Sequence, residues 1–412
     1  MNSGMTANTD VAIVGGGIAG ASLASALARG GLGVTVLEAT SEFPDRVRGE
    51  SMQAWGVAEA RELGAEKVLL AAGAHVAKQW NQYAEGFGEL PPLPMDMMVP
   101  GIPGSLNLRH PDACQALLDD ATAAGATVVR GVGHVELMRD SAGPTVAYEV
   151  DGKRQVLQTS LVVGADGRNS TVRKQVGITL EHQEATSHIA GLLVDALEGV
   201  PDEFDAVVSD SDRFTLLFHQ GNARARAYLC VGNSAQKTFA GPEGTRRFLE
   251  KWTDSCYPWG RDVAAATPAG PCSTYPGDDT WTAEPFTDGV LLIGDAAGHN
   301  DPIIGQGLSI AMRDARTARD LVLAGARTAE AFAPYGAERM QRMERLRLIA
   351  DVLAAVQAED ADNRPARHAY FLEKMGSMDP ELFPLLIAAF AGPETMPQES
   401  VNQQWVERIR AA

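Results

Sequence analysis

Residues 11–38 constrain the fold more than any other stretch of the chain. Residues 11–14 (Val-Ala-Ile-Val) are a short apolar run, and Gly15-Gly16-Gly17-Ile18-Ala19-Gly20 follows at once. An Ala- and Leu-rich segment with helical spacing then runs from about Ile18 to Arg29 and closes on Gly30 and Gly31. A second apolar run, residues 34–37, ends at Glu38. Glycines 15, 17 and 20 satisfy G-x-G-x-x-G in the context the motif requires, after a strand and at the opening of a helix. Gly15 permits the tight turn, Gly17 lets backbone approach a pyrophosphate, and Gly20 lets helix and strand pack closely, with Ala19 between them in the first turn. The helix start offers unpaired N–H groups and the positive end of a dipole to phosphates. Glu38 stands where an acid accepts hydrogen bonds from an adenosine ribose, and its charge disfavours a 2′-phosphate. The segment therefore predicts a βαβ start in a parallel sheet, with a site for FAD or NAD rather than NADP.

Composition sets the outer limits. A chain of 412 residues with 45% hydrophobic and 21% charged content has material for two or three packed domains. The net charge of −18 argues against sequence-independent nucleic-acid binding, which needs a basic surface. Cys114, Cys230, Cys256 and Cys272 form no CxxC pair and no metal-ligand spacing, so no metal is expected and a reducing, cytoplasmic setting is. The first nine residues lack the basic and apolar regions of a signal peptide, and no apolar run reaches the roughly 20 residues of a membrane helix. The late apolar run 382–390, which contains Pro384, reads as a core helix.

Downstream, residues 49–73 look helical, and 80–104 look irregular and rich in Pro, Gly and Met, as in a loop over a pocket. A helix fits 111–124, with Pro111 in its first turn. Residues 128–129, 135–138, 146–150, 155–158 and 161–163 read as strands. Between about 178 and 282 lie further strand-like segments, 188–194, 214–219 and 226–231, with no glycine fingerprint. Residues 290–293 return to the buried-strand pattern. Beyond Gly305 the chain is mostly helical, with 339–357 expected to be amphipathic.

Two later motifs carry a family resemblance. Leu161-Val162-Val163-Gly164-Ala165-Asp166-Gly167 and Leu291-Leu292-Ile293-Gly294-Asp295-Ala296-Ala297 resemble the second and third signatures of single-component (group A) FAD-dependent monooxygenases, the para-hydroxybenzoate hydroxylase family. The likeness implies an α/β fold: a Rossmann-like FAD-binding domain, an inserted β-sheet substrate domain and a helical C-terminal region. The FAD-binding domain would comprise residues 8–75, 106–178 and 283–330, with a pocket loop at 76–105, the substrate domain at 179–282 and C-terminal helices at 331–412. It further implies that Asp295, after Gly294, accepts from ribityl hydroxyls, and that Asp166 serves near the cofactor. Pro302 would lie against the isoalloxazine, and the helix entered through Gly305 and Gly307 would direct its N–H groups at the flavin. Arg48 and Arg109 match positions that contact FAD, whereas Arg46 reads as surface.

The resemblance implies that NADH or NADPH binds only transiently, since no second G-x-G-x-x-G exists, and that a flavin C4a-hydroperoxide hydroxylates an aromatic or other apolar small molecule with O2. No catalytic base is fixed; His299 and His219 are the candidates, with His188 on another strand-like segment. Trp80, Tyr83, Phe87 and residues 95–98 suggest an apolar pocket lining. A monomer or homodimer without integral membrane association is expected. Gly49-Glu50-Ser51 and Gly298 also resemble flavin-dependent halogenases and geranylgeranyl reductases, so a reductase or a halogenase is the alternative. None of the six tryptophans forms the W-x-W-x-I-P motif of a halogenase. A flavin-binding sensor without turnover is a third reading.

Overall fold

The structure is a computed structural model and describes residues 6–45, 47, 49–140, 143–241 and 243–412; Arg46 and Arg48 lie outside the described residues. Two sheets organise the chain. In the first, the parallel strands stand in the spatial order Val290–Leu292, Lys153–Gly164, Thr6–Val14, Val34–Glu38, Thr127–Arg130. The chain thus works outward on one side of its first strand, then returns to build on the other. Open α/β sheets bind ligands where the order reverses in this way, beyond the carboxyl ends of the strands. The reversal lies between Thr6–Val14 and Lys153–Gly164, whose ends are tied by Ala165 N–H donating to the Val14 carbonyl at 2.7 Å.

The strands expected at 155–158 and 161–163 are one strand, Lys153–Gly164. Its first half pairs antiparallel with Gly143–Val150 and its end pairs parallel with Val290–Leu292. The helical stretch expected at 49–73 is divided: a short strand Ser51–Met52 precedes the helices Ala54–Leu63 and Ala65–Ala71. Gly64, at φ +78°, makes the left-handed break that ends the first of them.

The second sheet has the central order Ser187–Asp195, Ala225–Gly232, Arg213–His219, Phe204–Asp210, Gln79–Ala84. The last of these corrects the irregular reading of 80–104. It runs parallel to Phe204–Asp210, and only the following residues are loop, short strands and a 3₁₀ turn, Met95–Met97. One face of the sheet packs Ala206, Val208, Leu217 and Leu229 against Phe248 and Trp252 of the helix Gly244–Thr253. The opposite face presents Val207, Phe214, Leu216 and Phe218 to the helices Ala329–Gln357, Arg364–Gly376 and Leu382–Ala391.

The long helix Ala329–Gln357 is not amphipathic over its second half as expected. Leu346, Leu348, Ile349, Ala350, Val352 and Ala354 to Gln357 are all buried, because that half runs between the sheet and the other C-terminal helices. A helix enclosed on all sides keeps apolar residues all round. Among the described residues no helix is long and apolar enough to cross a membrane.

Asp205 ties the second sheet to the strand Ser105–Asn107. It is fully buried and accepts from Asn107 Nδ2 at 2.7 Å and Ser105 Oγ at 3.0 Å. Burial pushes its carboxyl up from 3.8 to about 7, against the pull of these two donors. The folded chain therefore binds this proton more tightly than the unfolded chain. The stabilisation is fully present below about pH 4 and is lost as pH rises through about 7, at up to about 1.4 kcal/mol per pH unit. Asp205→Asn should flatten the fall in urea stability between pH 5 and 7 by about that slope; parallel wild-type and variant curves would contradict it.

Candidate functional site

The three glycines of the first turn differ in what surrounds them. A Cβ on Gly15, at φ +104°, would stand 2.3 Å from the Ala165 carbonyl oxygen, and one on Gly20 would stand 2.0 Å from that of Gly15. Both are dictated by close approach within the protein. A Cβ on Gly17 would meet nothing within 4 Å. The open space lies where the helix Ile18–Arg29 begins, and no side chain caps that helix. An uncapped N-terminus beside free space fits a pyrophosphate. Glu38 is buried and held in place: Oε2 accepts from Gly16 N at 2.7 Å, and Oε1 accepts from Thr40 N at 2.8 Å and its hydroxyl at 2.7 Å.

The third motif docks on this turn. A Cβ on Gly294, at φ +59°, would fall 3.2 Å from that of Ala19, so the 3₁₀ turn Gly294–Ala297 sits against the first turn of the helix. Asp295 is partly exposed, and the Nε of Arg168 lies 3.4 Å from its carboxylate. The turn is held from beneath by a buried ion network that sequence reading missed. Asp314 accepts from Gly294 N at 2.8 Å, Arg339 Nε at 3.0 Å and an Arg342 nitrogen at 2.6 Å. Arg339 also donates to the carbonyls of Ala297 at 2.9 Å and Gly298 at 2.8 Å, and Tyr335 donates to that of Leu292 at 2.9 Å. Burial would raise the Asp314 carboxyl, but the charges of Arg339 and Arg342 outweigh it and hold the carboxyl below its usual range.

Asp166 is engaged elsewhere. Its carboxylate accepts from Ser170 Oγ at 2.6 Å and from Thr171 N at 2.6 Å, at the start of the helix Thr171–Gln175 that Ser170 caps. Beyond the motif, Arg173 joins Arg168 in reaching the third turn, donating to the Ala296 carbonyl at 2.9 Å. Its signal in the sequence was the run 166–173, Asp-Gly-Arg-Asn-Ser-Thr-Val-Arg, which brings a helix start and two arginines together directly after the motif. Arg109 precedes the helix His110–Ala123, and its Nε is buried without a partner among the described residues while its terminal nitrogen lies 3.4 Å from Asp112.

Pro302 opens a 3₁₀ turn, Pro302–Ile304, that Asp301 caps by accepting from Ile303 N at 2.8 Å. Burial pushes the Asp301 carboxyl up to about 7, and that of nearby Asp279 to about 6. Gly305 follows at φ +61°, and the helix Gly307–Leu323 starts with no side-chain cap. This second uncapped N-terminus suits the charge that a reduced flavin accumulates. Both helix starts, Glu38 and the space at Gly17 fit bound FAD.

Between Gly305 and the second sheet lies an apolar pocket with a cavity volume of about 100 Å³. Trp80, Phe214, Leu216 and Phe218 line it from the sheet, Ile303 to Gly305 from the turn, and Ile349, Leu353 and Phe390 from the C-terminal helices. Of the expected lining residues, Tyr83 borders the cavity, whereas Phe87 is exposed and Met95 is buried outside its wall. His219 does not enter it. Phe214, Leu216 and Phe218 take one face of their strand, so His219 takes the other, against Phe204 at 6.3 Å between rings, where burial lowers it to about 4. His299 is fixed by Thr280 Oγ1 at 2.9 Å and lies 3.3 Å from Asp278, also outside the cavity lining. His188 is half-buried on the strand Ser187–Asp195 and does not line the cavity either. The loop before the cavity is anchored by Arg226, fully buried, which pairs Glu50 at 2.7 Å and Asp45 at 2.9 Å.

Comparison with known proteins places these features in a family. Residues 8–348 match the FAD binding domain family. The chain is 28% identical over 409 residues to rifampicin monooxygenase of Streptomyces venezuelae, covering 98% of this chain and 78% of that protein. It spans little more than half the length of the mouse and rat squalene monooxygenases it also matches, 56% and 54%. The structure of P. aeruginosa PqsL in complex with 2-aminobenzoylacetate superposes with a TM-score of 0.74 at 24% identity, covering 87% of this chain and 99% of that one. A flavin-dependent halogenase, CmlS, shares the fold at 16% identity and a TM-score of 0.76, covering 98% and 76%. Its relatives include FAD-dependent monooxygenases of the group A type, and the chain, with the turn, acid and two open helix starts described above, belongs to the FAD binding domain family.

Proposed function

We propose that the chain is a flavoprotein monooxygenase that hydroxylates an aromatic or other apolar small molecule: R–H + O2 + NAD(P)H + H⁺ gives R–OH + H2O + NAD(P)⁺. The observation that carries this reading is the apolar cavity that reaches Gly305, at the foot of the uncapped helix Gly307–Leu323, which would receive the flavin. Bound FAD supplies the hydride acceptor and the site where dioxygen is activated. The chain's own part is to hold and shield. The open space at Gly17 and the helix Ile18–Arg29 would take the pyrophosphate, Glu38 the adenosine ribose, and Asp295 the ribityl chain. The helix Gly307–Leu323 would stabilise negative charge on the reduced ring. The cavity walls would keep water from the reacting centre and fix the substrate. Asp166, whose carboxylate is hydrogen-bonded to Ser170 and Thr171, would serve by shaping its loop, with Arg168 beside Asp295.

No base is assigned, since neither His299 nor His219 faces the cavity. Oxygen uptake and NADH or NADPH oxidation by the FAD-loaded protein should rise together when a fitting apolar compound is added. Saturation of an alkene without oxygen, or turnover that depends on chloride or bromide, would instead indicate the reductase or the halogenase.

A further inference from the structure

The cavity has a direction. Its flavin-side end carries Gln53, whose Nε2 would lie 3.8 Å from a Cβ placed on Gly305. Phe218 belongs to the same end: the next residue, His219, accepts at its carbonyl from Asn107 Nδ2 at 2.9 Å, and Asn107 pairs with Ser51 in the strand leading to Gln53. Phe214 stands four residues back along its strand, opposite Ser209. Four residues of strand are about 13 Å. The helix on the other wall gives an independent measure. Ile349, Leu353 and Gln357 all line the cavity at four-residue intervals, and eight helical residues rise about 12 Å.

The far end is polar. Gln357 and Ser209 are both buried there, and Gln357 Nε2 donates to Ser209 Oγ. The Gln357 Oε1 is buried and has no hydrogen-bond partner among the described residues. Ser209 accepts at its oxygen, so its own O–H is left to donate. An acceptor and a donor side by side at the end of an apolar tunnel match a hydroxyl group, which both donates and accepts. A buried polar atom without a partner is costly to the free protein, and a ligand hydroxyl would remove that cost.

We infer that the substrate is an elongated apolar molecule whose far end bears a hydroxyl group bound by Gln357 and Ser209, about 13 Å from the end presented to the flavin. This rests on the proposed function in that the Gly305 end is taken as the reacting end. Gln357 and Ser209 are binding residues, remote from the chemistry.

Biphenyl, 4-methoxybiphenyl and 4-hydroxybiphenyl, rigid apolar rods that fit within that span, are the probes, titrated into the FAD-loaded protein and followed by the flavin absorbance change. The hydroxyl compound should bind about fivefold to tenfold more tightly than biphenyl. The methoxy compound, an acceptor only, should fall between them. Gln357→Leu should abolish the hydroxyl preference, whereas Gln53→Leu should keep it. Equal affinities in the wild-type protein, no binding by any probe, or a preference that survives Gln357→Leu would overturn the inference. The wild-type comparison among the three probes stands even where a variant fails to fold. The readout is binding, so it is separate from oxidation: selective binding without oxygen uptake would count against the monooxygenase reading alone.

Discussion

A valine at position 17 should leave the chain folded and unable to hold FAD. The backbone at Gly17 has φ −73° and ψ −167°, which any residue adopts, and a Cβ there meets no protein atom within 4 Å. The valine therefore disturbs nothing in the protein, and stability without cofactor should change by less than about 1 kcal/mol. The same side chain fills the space in front of the first helix turn, where the pyrophosphate would meet the N–H groups of Ile18 to Gly20. Losing that approach should weaken FAD binding by about 100-fold or more, some 3 kcal/mol. Gly20→Val is the control in the opposite sense. Its Cβ would overlap the Gly15 carbonyl at 2.0 Å, so it should damage the fold itself. Circular dichroism, thermal melts and flavin content of the purified variants check both. A yellow Gly17→Val protein with wild-type flavin content would remove the assignment of this turn to the pyrophosphate.

The contrast between those glycines also marks how far sequence reading reaches. Strand, glycine turn, helix and Glu38 were legible because each signal is local: the spacing of three glycines and the apolar runs on either side need no tertiary contact to recognise. The second and third motifs were legible in the same way. What escaped depends on contacts distant in the chain. Gln79–Ala84 is polar at Gln79, Asn81 and Gln82 and reads as loop until Phe204–Asp210 comes to pair with it, over 120 residues later. Asp166 was expected near the cofactor; its hydrogen bonds to Ser170 and Thr171 are a second, equally local feature of Asp-Gly-Arg-Asn-Ser that the motif reading did not include. His219 was placed on a strand, but which face it takes depends on where the C-terminal helices settle. Of the cavity, only Trp80 and Tyr83 were anticipated, because its other walls come from distant strands, the Pro302 turn and the C-terminal helices.

The second large effect concerns residues far from the glycine turn in sequence. Arg339→Leu should destabilise the chain by about 3–5 kcal/mol, because it leaves Asp314 buried with one cationic partner fewer. Asp314 has no exposure to water, so its charge cannot be resolvated without opening the structure. Two further losses follow from the same change. The carbonyls of Ala297 and Gly298 lose their donors, and Gly294 is left on an Asp314 that is free to reorient. The turn carrying Asp295 should therefore loosen, and FAD should dissociate before the second sheet unfolds. Arg342→Leu should cost less, since one of its partners, Glu338, is half-exposed on the same helix and can turn to water. A double-mutant cycle separates charge from packing: Asp314→Asn combined with Arg339→Leu should cost less than the sum of the singles, because the asparagine no longer needs a counter-ion. Melting followed in parallel by far-ultraviolet circular dichroism and by flavin fluorescence distinguishes the two events. In Arg339→Leu the flavin transition should come first by several degrees. Coincident transitions at the wild-type temperature would mean that the Asp314 network neither holds the Asp295 turn nor supports the fold. The buried ions of a C-terminal helix would then be incidental to the cofactor site.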